Sequence, residues 1–282
     1  MGARHRSVRW VGGGGAGRAG TVAGVASTGR VALVTGVSRS AGIGAAVVRR
    51  LLDAGLRVVA SGWPPHDDEQ PWGGGATGLP DEVAHEVRDL ADPTAPSALV
   101  DEVVDRHGRL DVVVAAHARS SAGGLGDVSA AELDACWAVN VRAVVLLAQR
   151  LAEVRAGHDE GDGRARGPAD GRMIWFTSGQ HLGPMEGELA YAVTKGALHQ
   201  LTASLDRALA PSGVAAVCVN PGPVDTGWAD AAAHDVVARR FPSGRWPAPD
   251  ATARLVQTLV GELGEALRGR VLDAESGFDR FA

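Results

Sequence analysis

The sequence predicts an α/β fold, a doubly wound parallel sheet with helices on both faces. Two observations carry that expectation. Short apolar runs alternate with segments of helical periodicity from Arg30 almost to the last residue. The first run also leads through a glycine-rich turn straight into the first helical segment. Strands joined through helices lie parallel, because a parallel neighbour is reached only by a crossover, and such crossovers are right-handed.

Residues 1–29 read as a disordered Gly/Arg-rich tail, since the run Val11 to Gly17 buries too little surface to offset its ordering entropy. The basic start has no apolar stretch of 7–15 residues behind it, so it does not read as a signal peptide. Residues 30–282 read as a single domain. Val31 to Thr35 is a buried strand, and Gly42 to Ala54 a helix through Ile43, Val47, Val48, Leu51 and Leu52. Gly55 stops it, and residues 57–61 form the second strand. Further strands are expected at 84–88, 111–115, 172–177, 214–219 and 270–273. Helices are expected at 94–107, 132–155, 188–210 and 250–263. Residues 63–80 and 157–171 are rich in Pro, Gly and charge, and read as surface loops.

Net charge is −5 over 282 residues, which argues against a nucleic-acid binder. Eight arginines precede the first acidic residue, Asp53. This basic end includes the glycine-rich turn and is compatible with a polyanionic ligand there. No apolar run reaches the ~18 residues that span a bilayer. Cys136 and Cys218 lie far apart, and the nine histidines have no ligand spacing. A disulfide framework and a metal site are therefore not expected, and a cytoplasmic location is.

The turn reads Thr35-Gly36-Val37-Ser38-Arg39-Ser40-Ala41-Gly42-Ile43-Gly44. Glycines there let backbone approach a pyrophosphate, and the helix N-terminus adds free N–H groups and the positive end of its dipole. The second strand ends Ala60-Ser61-Gly62-Trp63 without the acid that usually meets an NAD ribose hydroxyl, and Arg39 sits nearby. A guanidinium binds a 2′-phosphate well, which favours NADP(H), with NAD(H) the alternative. Asp89-Leu90 follows the third strand, where an acid can meet the adenine amino group or simply hold a turn.

The chain contains one tyrosine, Tyr191, and one lysine, Lys195, against 27 arginines. At i and i+4 they share a helical face. A nearby ammonium is expected to lower the phenol's pKa from about 10 towards the working range. The pair then donates a proton to a carbonyl oxygen or takes one from an alcohol. Ser178 follows the strand 172–177 and is placed to orient that oxygen. Asn140 lies among apolar residues and needs partners. A water linking Lys195 to solvent is one.

Together with Asn220-Pro221-Gly222-Pro223-Val224-Asp225-Thr226, these motifs make residues 31–278 resemble a short-chain dehydrogenase/reductase, closest to the NADP-dependent 3-oxoacyl-acyl-carrier-protein reductases. The resemblance implies a Rossmann-type sheet of about seven strands and hydride exchange between nicotinamide and a small carbonyl or alcohol substrate. Tyr191 would be the acid, Ser178 the carbonyl positioner, Lys195 a ribose ligand and Asn140 part of a proton relay. Gly36, Ser38, Arg39, Gly42, Ile43, Gly44, Trp63, Asp89, Leu90, Ala116, His117, Tyr191, Lys195, Pro221, Gly222, Val224 and Thr226 would line the cofactor. Gln180, His181, Met185, Glu188 and Trp228 would face substrate, with Phe241 and Trp246 in the variable segment beyond. The resemblance also implies a homodimer or homotetramer through the helices near 132–155 and 188–210. Enoyl reductases of the superfamily space Tyr and Lys more widely.

Three departures stand out. The turn is two residues longer than T-G-x-x-x-G-x-G. Ala115-Ala116-His117-Ala118 replaces the family's N-N-A-G, with His117 a candidate to fill part of that gap. Ser276 stands where a second glycine is common. A catalytically silent NADP-binding sensor or scaffold of the same fold is the alternative function. The choice of lysine at 195 gives a direct test: Lys195→Arg keeps the charge but not the compact ammonium, and steady-state assays are expected to show most activity lost.

Overall fold

The computed structural model describes residues 29–157, 170–229, 231–240 and 246–274. The expected tail, most of the 157–171 insertion, Phe241 and Ser276 lie outside them. Seven parallel strands form one sheet in the order β3-β2-β1-β4-β5-β6-β7. They are β1 (Val31–Thr35), β2 (Arg57–Gly62), β3 (Ala84–Val87), β4 (Val112–Ala115), β5 (Gly171–Phe176), β6 (Val214–Asn220) and β7 (Val271–Asp273). The strand order reverses between β1 and β4, where ligands of open α/β sheets bind.

The two faces of the sheet are written in alternate residues of each strand. Val31 and Leu33 pack with Met173, Trp175, Ala216 and Cys218 on one face. Ala32 and Val34 pack with Ile174, Phe176, Val217 and Val219 on the other. The first face is covered by α3 (Ala95–His107), α5 (Ala143–Gly157) and α6 (Leu189–Leu209), the second by α1 (Ile43–Asp53) and α8 (Pro249–Val260). Burial of each large side chain, such as Leu33, Leu51 or Leu147, contributes about 1.5–3 kcal/mol.

The helix expected at 132–155 is a composite of α4 (Ala130–Trp137), a π-turn (Ala138–Arg142) and α5. The amide of Ala143 donates to the Ala138 carbonyl, the i→i+5 bond that inserts one residue into the ladder. The helix expected at 250–263 breaks at Gly261, and α9 (Glu262–Ala266) continues separately. Residues 63–80 are not a plain surface loop. They begin with the short helix α2 (Pro64–Asp68) and fold over the carboxyl edge of the sheet. An unforeseen helix, α7 (Ala231–Arg240), lies in the segment after β6.

The ends of β1 and β4 are braced by His117. Its Nδ1 lies 2.6 Å from Thr35 Oγ1, and its Nε2 lies 3.1 Å from the Val139 carbonyl in the π-turn. A carbonyl only accepts, so Nε2 carries the proton and Nδ1 accepts from the hydroxyl. Burial, with the Lys195 charge nearby, pulls this imidazole down to about 3, so it is neutral at physiological pH. An unfolded histidine takes up a proton near pH 6.5, whereas the buried ring resists until about 3. Stability is therefore lost as pH falls below about 6.5, by up to about 1.4 kcal/mol per pH unit until about pH 3. Urea unfolding at pH 7 and pH 5 is expected to show His117→Asn less stable at pH 7, with a shallower decline between the two. An unchanged slope in the variant would rule out His117 as a source of the acid sensitivity.

Candidate active site

At its carboxyl edge the sheet opens into a cavity of about 1470 Å³. This is larger than the ~1,000 Å³ upper range of ordinary small-molecule pockets, and suits a dinucleotide with a second ligand beside it. Every residue expected along the cofactor lines it, as do Ser178, Met185, Glu188 and Trp228.

Gly36 ends β1 with φ +77°, a conformation that favours glycine. A Cβ there would stand 2.4 Å from the Ala116 carbonyl carbon and the His117 nitrogen, so the two strand ends meet backbone to backbone. Gly44 packs the first turn of α1 as closely, with the Gly36 carbonyl 2.6 Å from where its Cβ would be. The exposed residues of the lengthened turn are Ser40 and Ala41, so Gly36, Gly42 and Gly44 still face the cavity. The N-terminus of α1 has no side-chain cap and no acid in its first turn. Its free N–H groups and dipole are open to an anion, so this backbone cradle fits a dinucleotide pyrophosphate.

The end of the cavity near Arg39 differs from expectation. A carboxylate does stand near the end of β2, from Asp67 on α2. Arg39 Nε donates to Asp67 Oδ1 at 2.9 Å and Arg39 NH1 to the Thr226 carbonyl at 3.0 Å. The guanidinium is therefore neither solvated nor unpaired. His66 Nε2 accepts from the Ser120 amide at 3.2 Å, which ties α2 across the groove to the loop after β4. Asp89 Oδ1 takes the Ala91 amide at 2.8 Å in a turn, and Leu90 is buried.

Tyr191 and Lys195 share one face of α6. Lys195 Nζ donates to the Phe176 carbonyl at 2.9 Å and lies 5.4 Å from the centre of the Tyr191 ring. Burial pulls the ammonium down to about 8. Burial also pushes the Tyr191 phenol up to about 12; Glu188 adds to this, while a hydrogen bond with Ser178 opposes it. In this geometry burial, not the Lys195 charge, sets the direction in which the Tyr191 phenol moves.

Asn140 is fully buried and finds its partners within the protein. Its Oδ1 accepts the Arg119 amide at 2.7 Å, and its Nδ2 donates to the Arg119 carbonyl at 3.1 Å and to Thr194 Oγ1 at 3.0 Å. Both amide donors are used by protein, so the side chain ties the π-turn to α6 and to the loop after β4. Thr194 in turn donates to the Tyr191 carbonyl at 2.8 Å.

Gln180 and His181 are absent from the cavity lining. The 3₁₀ turn Gly179–His181 carries them towards α6 and β7. Gln180 Nε2 donates to Thr177 Oγ1 at 3.2 Å, and His181 Nε2 lies 3.0 Å from Asp273. Trp228 packs edge-on to Trp246, with ring centres 5.1 Å apart. Leu182 and Val236 extend the lining beside Met185. Sequence reasoning missed His66, Asp67, Trp72 and Arg119. The one available signal was Pro64-Pro65 followed by Asp67, a helix start just past a strand. Among the described residues, no three His, Cys, Asp or Glu side chains converge as a metal site, and no helix is long and apolar enough to cross a membrane.

Known proteins share this arrangement. A family model described as enoyl-(acyl carrier protein) reductase matches residues 36–279. An uncharacterized oxidoreductase, YjdA, of Bacillus subtilis (strain 168) is 31% identical over 89% of this chain and 97% of its own length. A cyclohexanol dehydrogenase of Rhodococcus sp. (strain TK6) is 27% identical over 88% and 96%. A short chain dehydrogenase from Burkholderia cenocepacia J2315, solved in complex with NADP, superposes with a TM-score of 0.74 at 30% identity, covering 91% of this chain and 99% of that one. The seven-stranded sheet, the glycine-rich turn at its switch point and the matches along nearly the whole chain make this protein a nicotinamide-dependent oxidoreductase of the short-chain dehydrogenase/reductase family.

Proposed function

We propose that residues 30–282 form one NADP(H)-dependent carbonyl reductase domain, acting on small ketones and, in reverse, on secondary alcohols. 3-Oxoacyl thioesters are one substrate class to test. One observation carries this reading: Ser178 and the Tyr191 phenol meet in the cavity, with Lys195 on the same helix and the glycine-rich cradle at its other end. The four-residue spacing of Tyr191 and Lys195 favours carbonyl over enoyl reduction. The names of the Rhodococcus and Burkholderia proteins support an alcohol or ketone substrate and NADP respectively.

A nicotinamide cofactor held by the glycine-rich turn and Lys195 would, when bound, supply or accept the hydride exchanged with the substrate carbon. Ser178 donates a hydrogen bond to the carbonyl oxygen and fixes its position. Tyr191, protonated at neutral pH, donates the proton that completes the alcohol. Lys195 keeps a positive charge under the site and holds the ribose. Asn140, through Thr194 and the backbone beside Arg119, fixes α6 relative to the loop after β4. Met185, Leu182 and Trp228 offer apolar surface for the substrate. Leu133 and Trp137 on α4 and Val193 on α6 are exposed apolar residues, which supports a homodimer or homotetramer through these helices. Both cysteines are free and buried, which supports a reducing cytoplasm.

A panel of ketones, with acyl-carrier-protein and coenzyme A thioesters among them, tests the reaction with NADPH. Wild type is expected to reduce at least one class with a lower KM for NADPH than for NADH. Binding of NADPH without reduction of any member would favour the sensor alternative. Tyr191→Phe is expected to lose at least ~10²-fold in kcat while its Kd for NADPH stays within severalfold. Retained turnover in that variant would remove Tyr191 as the acid.

A further inference from the structure

The segment after β2 places a carboxylate and a guanidinium together where the cofactor's ribose would be read. Arg39 and Asp67 are both largely buried, with side chains 17% and 15% exposed. One oxygen, Asp67 Oδ1, accepts two bonds, from Arg39 Nε at 2.9 Å and from Trp72 Nε1 at 3.0 Å. The guanidinium carbon lies 5.6 Å from the centre of the Trp72 ring. All three side chains line the cavity. Among the described residues, Asp67 Oδ2 and Arg39 NH2 have no hydrogen-bond partner.

We propose that Asp67 is a specificity-determining residue for the cofactor, restraining the preference for a 2′-phosphate that Arg39 creates. This rests on the assignment above of the Arg39 end of the cavity to the adenosine ribose. A free carboxylate oxygen accepts a bond from a ribose 2′-hydroxyl. A 2′-phosphate carries up to two negative charges, and Asp67 both neutralises its guanidinium and repels it. The pair is mostly out of water, so solvent screens that repulsion less than at an open surface. Arg39 and Asp67 thus read the same position with opposite sign, and the chain uses NADP(H) with only a small preference over NAD(H).

Asp67→Asn tests this cleanly. Its amide oxygen still accepts from Arg39 and Trp72, while the charge is gone. Dissociation constants for NADPH and NADH, and for adenosine 2′,5′-bisphosphate and AMP, are measured by calorimetry on wild type, Asp67→Asn and Arg39→Ala. Wild type is expected to prefer NADPH by less than about tenfold, and Asp67→Asn to widen that preference by about tenfold. The bisphosphate should gain relative to AMP by a similar factor. A ratio in Asp67→Asn within twofold of wild type, or shifted towards NADH, would overturn the proposal, as would a wild-type preference above a hundredfold. Arg39→Ala separates the two levels. If it moves the ratio towards NADH while Asp67→Asn does not, only the role of Asp67 fails. If neither variant changes the ratio, the ribose does not sit at Arg39 and the underlying assignment fails. Asp67→Ser, also neutral, gives the same sign should the asparagine variant not fold.

Discussion

The site depends on two strand ends meeting without side chains between them. Gly36 lies against the backbone of Ala116 and His117 at a distance that no Cβ permits. That contact closes the floor of the crevice between β1 and β4, and it fixes where the glycine-rich turn leaves the sheet. The α1 N-terminus follows, because Gly44 lies directly on the Gly36 carbonyl. His117 then does with one imidazole the bracing for which the family's pattern has asparagines. It reaches Thr35 on one side and the π-turn on the other, so the cofactor cradle and the helix carrying Asn140 are joined through a single ring.

Burial dominates the electrostatics of Tyr191 and Lys195. Low dielectric disfavours both the phenolate of Tyr191 and the ammonium of Lys195, moving their pKa values apart from the usual ones in opposite directions. In this geometry the protein favours the protonated phenol, the form that the proposed reduction uses. The Phe176 carbonyl compensates part of the cost of burying the ammonium.

Much of this was legible in the sequence. All seven expected strands formed; the inner ones are apolar because a sheet covered on both faces needs continuous hydrophobic segments, while the edge strands β3 and β7 are short and only partly buried. The i, i+4 spacing placed Tyr191 and Lys195 on one face. What was illegible depended on contacts far apart in the chain. The partners of Asn140 come from Arg119 and Thr194, 21 and 54 positions away. Lys195 turns to a carbonyl nineteen residues earlier. The polar insertion after β2 looked like solvent-facing chain because its apolar content is low. It is anchored by hydrogen bonds and one ion pair instead, which composition does not reveal. The helix α7 was missed for a similar reason, since Ala231-Ala232-Ala233 offers no apolar stripe of large residues.

The arginine-for-lysine bias has a consequence for the chemist. With a single lysine in 282 residues, the protein presents one side-chain amine to acylating or aldehyde reagents. That amine is buried and its pKa is lowered to about 8, so a larger fraction is neutral and nucleophilic near physiological pH than for an ordinary lysine. Lys195 lines the cavity. Amine-directed labelling therefore becomes an occupancy meter: a ligand that fills the groove shields the whole complement of lysine side chains at once.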